Sequence, residues 1–347
     1  MIIIKQQPFG EQKQAFAKGE EWERALAFFP SEIRSILARV SSKLQPHIYE
    51  IRFRSNQPLE LVYSTGAAWL SPTGELVREA KAAVRIGPQQ LRNVVNALTA
   101  GSFYALEEAI AQGYLALPGG FRAGFAGHAV HEGGKIRLIR DISSLNFRIA
   151  RAFPGIARQL LPLLWKEGRF LKTLILAPPA AGKTTLLREI IREVSTGVPE
   201  YQIPGIRVGL VDERSEIAGS FQGEPQLDVG CRTDVLDGCT KQAGVYLLLR
   251  AMNPELIATD EIGTVEDFKV IEDIINTGVS FIATAHARNL TEAICRAGLK
   301  QILELGMVER VIVLSNRLGA GTIENVKAGI AGPELWPGAI RPGESDA

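Results

Sequence analysis

The chain has 347 residues, 46% of them hydrophobic, which is enough for one large core or two ordinary ones, and the length favours two domains. Formal net charge is +1; residues 1–150 carry 18 Lys and Arg against 13 Asp and Glu, leaving 21 against 25 in residues 151–347, too mild an asymmetry to mark a nucleic-acid-binding domain. Three cysteines without a C-x-x-C pair and four histidines give no zinc framework and suit a reducing cytoplasm, and no apolar run approaches the roughly 18 residues of a membrane span.

The opening "MIIIKQQPFGEQKQ" breaks its apolar run after four residues, so no signal peptide is expected from it. Periodicity then predicts a helix around 21–40, short strands in "HIYEIRFR" and "LELVYS", a helix "PQQLRNVVNALTA" opened by Pro88, and a second helix in "ALEEAIAQGYLAL". Strands follow in "RAGFAGHAV" and "KIRLIRDI", and the mixture reads as a small α+β domain over residues 1–150. A linker is expected over 151–170. From 171 to 330 apolar strand runs alternate with amphipathic helices: "LKTLILA", "TTLLREIIREVS", "RVGLVD", "GVYLLLRAM", "ELIATD", "VEDFKVIEDIINTG", "SFIATAH" and "RVIVL". That alternation predicts an α/β domain whose parallel sheet is covered on both faces. Residues 331–347, rich in Pro and Gly, read as a flexible tail.

The stretch "APPAAGKTT", residues 177–185, sits between the first of those strands and its helix, where a phosphate-binding loop belongs. Backbone N–H groups of such a turn surround a phosphate; Lys183 reaches the β- and γ-phosphates, the Thr184 hydroxyl ligates magnesium, and Gly182 lets the backbone approach. Pro178, Pro179, Ala180, Ala181 and Thr185 complete the loop, with the N–H donors expected from Ala181 to Thr185 because the prolines have none. The glycine that opens the strict pattern G-x-x-x-x-G-K-[ST] is Ala177 here. Alanine before proline adopts extended geometry freely, so only a need for positive φ would forbid it. Taken alone, the loop leaves open a second, less favoured reading, a turn that happens to contain Gly-Lys-Thr.

Its context supplies the acids. Strand "LIAT" runs into Asp260 and Glu261, the first suited to holding magnesium and the second to polarising an attacking water, and "SFIATAH" ends on His286, a candidate phosphate sensor. Asp212-Glu213 ends another strand, so either Glu261 or Glu213 could orient the water. Arginines are needed to offset the charge of a transferring phosphoryl group, and Arg122, Arg148, Arg151, Arg214 and Arg232 are candidates, each more often a solvated surface group.

These residues resemble, in order, the Walker A, Asp-box, Walker B and His-box elements of the type II/IV secretion ATPases. More narrowly, "YEIRFRSNQPLEL", "ISSLNFRIAR" and "DVGCRTDVLDGCTKQAGVYLLLRAMNPELIATDEIG" are similar to the stage III sporulation protein AA family, over about residues 20–325. The resemblance implies an α/β, RecA-like P-loop NTPase motor domain with a smaller N-terminal α+β domain. It implies ATP and Mg²⁺ as cofactors, assembly into a homo-oligomeric, hexameric ring, and docking on small membrane proteins of a sporulation channel complex from the cytoplasmic, mother-cell side. Position by position it gives Lys183 and Thr184 the Walker A roles, Asp260 and Glu261 Walker B, Glu213 the Asp box and His286 the His box. Arg148, in the interdomain segment, is a looser match to a phosphate-contacting arginine. Departures are Ala177 and Thr240, the latter standing where proline is expected. Two other readings stay open: an ATP-binding assembly switch with weak hydrolysis, and a nucleic-acid motor, which the mild charge and lack of interleaved aromatic and basic residues disfavour.

Overall fold

The computed structural model describes residues 20–63, 66–99, 101, 113–336 and 338. Of the helix expected in "ALEEAIAQGYLAL", residues 105–112 lie outside the described residues, and its end, Tyr114–Ala116, is a strand.

The first half is built on an antiparallel sheet. Its strands are β1 (Ile48–Arg54), β2 (Glu60–Tyr63), β3 (Gly66–Leu70), β4 (Leu76–Val77), β5 (Tyr114–Ala116), β6 (Arg122–Glu132) and β7 (Lys135–Arg148), in spatial order β4-β3-β2-β1-β7-β6-β5. The β6–β7 hairpin turns at Gly133-Gly134, both with positive φ, the geometry that a tight hairpin turn matched to strand twist requires. Helices α1 (Glu20–Leu26), α2 (Ser31–Leu37) and α3 (Pro88–Leu98) supply Trp22, Ile33, Leu37, Leu91 and Val94 to one core with Ile51, Phe53 and Phe147. The single helix expected over 21–40 is two, because Pro30 holds an extended φ/ψ between them and has no N–H to continue the first.

The second half is a largely parallel sheet of β8 (Thr173–Ala177), β9 (Val208–Asp212), β10 (Thr233–Asp237), β11 (Leu256–Thr259), β12 (Ser280–His286), β13 (Arg310–Ser315) and β14 (Thr322–Ala328). Spatial order is β10-β9-β11-β12-β8-β13-β14, with β14 antiparallel at the edge. Helix α4 (Lys183–Thr196) buries Leu186, Leu187, Ile190, Ile191 and Val194 on one face. On the other, α5 (Lys241–Ala251), α6 (Val265–Asn276) and α7 (Ala297–Glu304) bury Val245, Leu248, Ile271, Ile274, Leu299 and Ile302. Apolar strands buried from both sides are what the continuous apolar runs require. The strand β11, which leads into Asp260, does not adjoin the loop strand β8: β12 lies between them and pairs with both.

The two halves meet where the segment 213–232 after β9 crosses to the first sheet. Gly119 N–H donates to Gln226 Oε1 at 2.8 Å, Arg122 pairs with Glu216, and the wholly buried side of α4 sends Arg188 to the Arg151 carbonyl. At the C-terminal end, Leu335 N–H donates to the Val326 carbonyl at 2.7 Å and Trp336 packs on the α4 side of the sheet, so the part of the expected tail up to Trp336 is seated on β14.

Candidate functional site

Ala177 is the last residue of β8, fully buried, paired in parallel register with His286, and in extended backbone geometry. Its methyl packs in the α4 core, and positive φ falls further on, at Ala180 (58°) and Gly182 (82°). The loop therefore demands a glycine at 182, where a Cβ would approach Gly321 N to 3.2 Å, and does not demand one at 177. The Ala181 N–H is spent on the Pro178 carbonyl at 3.3 Å, and Gly321 N–H donates to the Ala181 carbonyl at 3.0 Å, fixing the loop against the β13–β14 turn. Gly182 is the N-cap of α4 and gives it no side-chain cap. The first-turn N–H groups starting at Lys183 thus form an anion-ready helix terminus.

Three of the sequence-predicted side chains meet beyond the C-terminal ends of the central strands. Lys183 Nζ lies 3.2 Å from Glu261 Oε1 and 3.0 Å from His286 Nε2, and His286 Nε2 lies 3.0 Å from the same Glu261 oxygen. Arg214 Nη1 holds the other oxygen of Glu261 at 3.1 Å. Burial raises the Glu261 carboxyl, but Lys183, His286 and Arg214 outweigh it and bring it below the ordinary carboxylate range. Asp260 behaves oppositely: 3% exposed, its carboxyl is pushed up to about 7, first by burial and then by the charge of Asp212, against the pull of Lys241. Leu256 and Ala258 point to the α4 side of the sheet, the parity that Asp260 continues.

The second acidic pair does other work. Asp212 is fully buried and accepts the backbone N–H groups of Glu216, Ile217 and Ala218 at 2.8 to 3.0 Å, shaping the segment that follows β9. Glu213 pairs with Lys241 at the start of α5 and is not brought to Lys183. Arg188 lies under the same segment, donating to the Ile217 and Glu216 carbonyls, and burial lowers its guanidinium to about 10.

The candidate arginines scatter. Arg214 reaches Glu261. Arg122 and Arg148 reach Glu216 and line, with Glu213 and Arg214, a cavity of about 510 Å³ between the first sheet and the strand ends. Arg148 also pairs with Glu50 at 3.1 Å. Arg151 donates to the Gln45 and Ile48 carbonyls, tying the chain to β1. Arg232 donates to the Ser195 and Thr196 carbonyls at the C-terminal end of α4, a helix length of about 20 Å from Lys183, where it caps orphan carbonyls. Thr240 is the N-cap of α5, its hydroxyl accepting from the Ala243 N–H. Lys241, the partner of Glu213, went unmarked in the sequence because a lysine opening a helix carries no pattern.

The residues fit nucleotide with magnesium. The loop backbone and Lys183 offer donors to phosphates, and Asp260 is a carboxyl kept protonatable first by burial and then by the charge of Asp212, which a cation would relieve. Among the described residues no cluster of three His, Cys, Asp or Glu could cage a metal by itself.

Comparison with known proteins agrees with this architecture. The family model described as "Sporulation stage III, protein AA" matches residues 18–330. Stage III sporulation protein AA of Bacillus subtilis (strain 168) is 37% identical over 297 residues, spanning 86% of this chain and 92% of that protein. Uncharacterized protein ycf45 of Cyanidium caldarium is 29% identical over 160 residues, 43% of this chain and 42% of that one. Among solved structures, the Legionella pneumophila ATPase DotB aligns with a TM-score of 0.50 at 14% identity, covering 77% of this chain and 72% of that chain. The pilus retraction motor PilT with bound ADP gives 0.52 at 14% identity, covering 89% and 80%. At these identities the likeness establishes the fold alone: a RecA-like α/β half carrying a smaller N-terminal α+β part.

Proposed function

The chain belongs to the sporulation stage III, protein AA family, and from that premise we propose that it is a Mg²⁺-dependent ATPase working as a motor of a sporulation channel complex. The observation that carries this reading is the triangle of Lys183 Nζ, Glu261 Oε1 and His286 Nε2, with sides of 3.2, 3.0 and 3.0 Å, at the N-terminus of an uncapped helix.

In this reading the first-turn N–H groups of α4 and Lys183 bind the phosphates. A phosphate competes with Glu261 for Lys183, so nucleotide entry releases Glu261 Oε1 from its ion pair and frees it to orient the attacking water and accept its proton. His286, within hydrogen-bond distance of both groups, reports whether Lys183 has moved. Magnesium, when bound, offsets the charge of the phosphate oxygens; Thr184 and Asp260 are the residues that would hold it. Glu213 is reserved by Lys241, which favours Glu261 as the base. Arg148, 55% exposed at the cleft, is available to nucleotide or to a neighbouring subunit.

The finer features follow the same premise: domains over 1–150 and 171–330 joined by 151–170, a hexameric ring, and docking on small membrane proteins from the cytoplasmic, mother-cell side. Among the described residues no helix is long and apolar enough to cross a membrane, which supports docking through partners. Phosphate release by the purified chain with Mg-ATP, across a range of protein concentrations, tests the core of the proposal. Lys183→Ala should abolish release; equal rates in the two proteins, or none from the wild type at saturating Mg-ATP in any oligomeric form, would refute it. An assembly switch is favoured by one feature, the occupation of both Glu261 oxygens by cationic side chains. It requires Glu261→Gln to keep biological activity while Lys183→Ala loses it.

A further inference from the structure

Glu261 is one of the few non-glycine residues with positive φ, at 45°. A side chain in that region stays there only if its surroundings hold it. The hold on its backbone comes from one residue. Glu261 N–H donates to Thr284 Oγ1 at 2.9 Å, and the next N–H, of Ile262, donates to the Thr284 carbonyl at 2.8 Å. Thr284 is fully buried in β12, with Ile175 of the loop strand as its register partner. Strand alternation puts His286 on the face of Thr284, and His286 Nε2 meets the Glu261 carboxylate at 3.0 Å. The strand inserted between β11 and β8 therefore grips Glu261 at both its backbone and its carboxylate.

We propose that Thr284 is a positioning residue for the hydrolytic step: its hydroxyl fixes the peptide entering Glu261 in the turn that points the carboxylate at Lys183. The assignment rests on the ATPase reading above. Without Oγ1 the Glu261 N–H has no partner in the strand, and the peptide between Asp260 and Glu261 can rotate. Any such rotation carries the carboxylate away from the water it orients, while Lys183 and the α4 terminus stay in place. Misplacement by about 1 Å can cost on the order of a hundredfold in rate.

The test compares Thr284→Val, which keeps the shape and removes the hydroxyl, with Thr284→Ser, which keeps the hydroxyl, in the full chain. Steady-state phosphate release gives kcat and KM, binding of ATP with magnesium gives Kd, and thermal denaturation checks folding. The expected result is a loss of kcat of about tenfold or more in Thr284→Val, with Kd within about twofold of wild type, and recovery of most of kcat in Thr284→Ser. A Thr284→Val protein with wild-type kcat overturns the assignment, as does one whose Kd rises in step with the fall in kcat, which would mark a merely structural role. A wild-type chain that binds Mg-ATP and releases no phosphate overturns the ATPase reading itself, and with it any hydrolytic role for Thr284.

Discussion

Two adjacent strands, β9 and β11, each run into Asp-Glu just after the paired Val211 and Thr259, and the two acidic turns have become different devices. At 212–213 the aspartate is a buried brace for three backbone N–H groups and the glutamate is paired with Lys241. At 260–261 the aspartate is buried among like charges and the glutamate sits against Lys183, His286 and Arg214. The dipeptide is the same and so is its place on the sheet. What separates them is where the following backbone goes: after Asp212 the segment folds back over the carboxylate, whereas Glu261 is turned by its positive φ across β12 towards the loop strand. Identity and position mark a candidate acid, and the backbone around it decides whether it can be a base.

The sharpest way to break this comparison is to neutralise each glutamate. Glu261→Gln should lower kcat for phosphate release by about a hundredfold or more, the scale of a lost general base, with nucleotide affinity retained. Glu213→Gln should change kcat by less than about tenfold, because its carboxylate is committed to Lys241. Equal losses in the two proteins would mean that the turns share the chemistry.

The aspartates differ in stability. Asp212→Ala leaves three backbone N–H groups without their acceptor in a site that is 0% exposed, and should cost about 2–3 kcal/mol in urea denaturation. Such a loss, with kcat per folded molecule retained, would identify Asp212 as a brace; a stable protein without activity would make it a member of the site.

Much of this was legible in the sequence. Buried strands bounded by amphipathic helices show as long apolar runs; Asp260, Glu261 and His286 stand out at the ends of such runs, and Lys183 at the start of a helix. The edge strands β10 and β14 were not, because an edge is half exposed: "TDVLD" is partly exposed along its whole length, and "TIENVKA" mixes polar and apolar positions where the pattern sought was continuous apolar. Pro30 was visible, yet a periodic apolar stripe on either side concealed the break. Among five candidate arginines, the sequence held no signal that Arg214 alone reaches Glu261 while Arg232 caps the far end of α4; those are outcomes of chain path. Thr284 was hidden for a related reason, since a threonine inside an apolar strand reads as β-branched filler until its hydroxyl is seen to face a particular N–H.

The smallest effect expected is a gain. Asp260 has a folded-state pKa of about 7 against 3.8 as its ordinary value, so between those limits the folded chain holds a proton that the unfolded chain has released. Wild-type stability from this group is therefore highest below about pH 4, falls as pH rises towards 7, and is constant above it. Asp260→Asn removes the titration, so its advantage over wild type should be absent near pH 4 and should reach a plateau above pH 7. A full shift of this size, the pull of Lys241 already included, would carry at most about 4 kcal/mol, and because the Asn amide must itself be desolvated at this buried site a gain of about 1–2 kcal/mol is expected at pH 8. Urea denaturation of both proteins at pH 5 and pH 8, without nucleotide or divalent ions, reads the difference. If saturating Mg-ATP then stabilises wild type more than Asp260→Asn, the carboxylate that weakens the free protein is the one that holds the cation. A difference between the two proteins that stayed flat with pH would show instead that Asp260 carries no uncompensated charge, and the contrast between the two turns would rest on their glutamates alone.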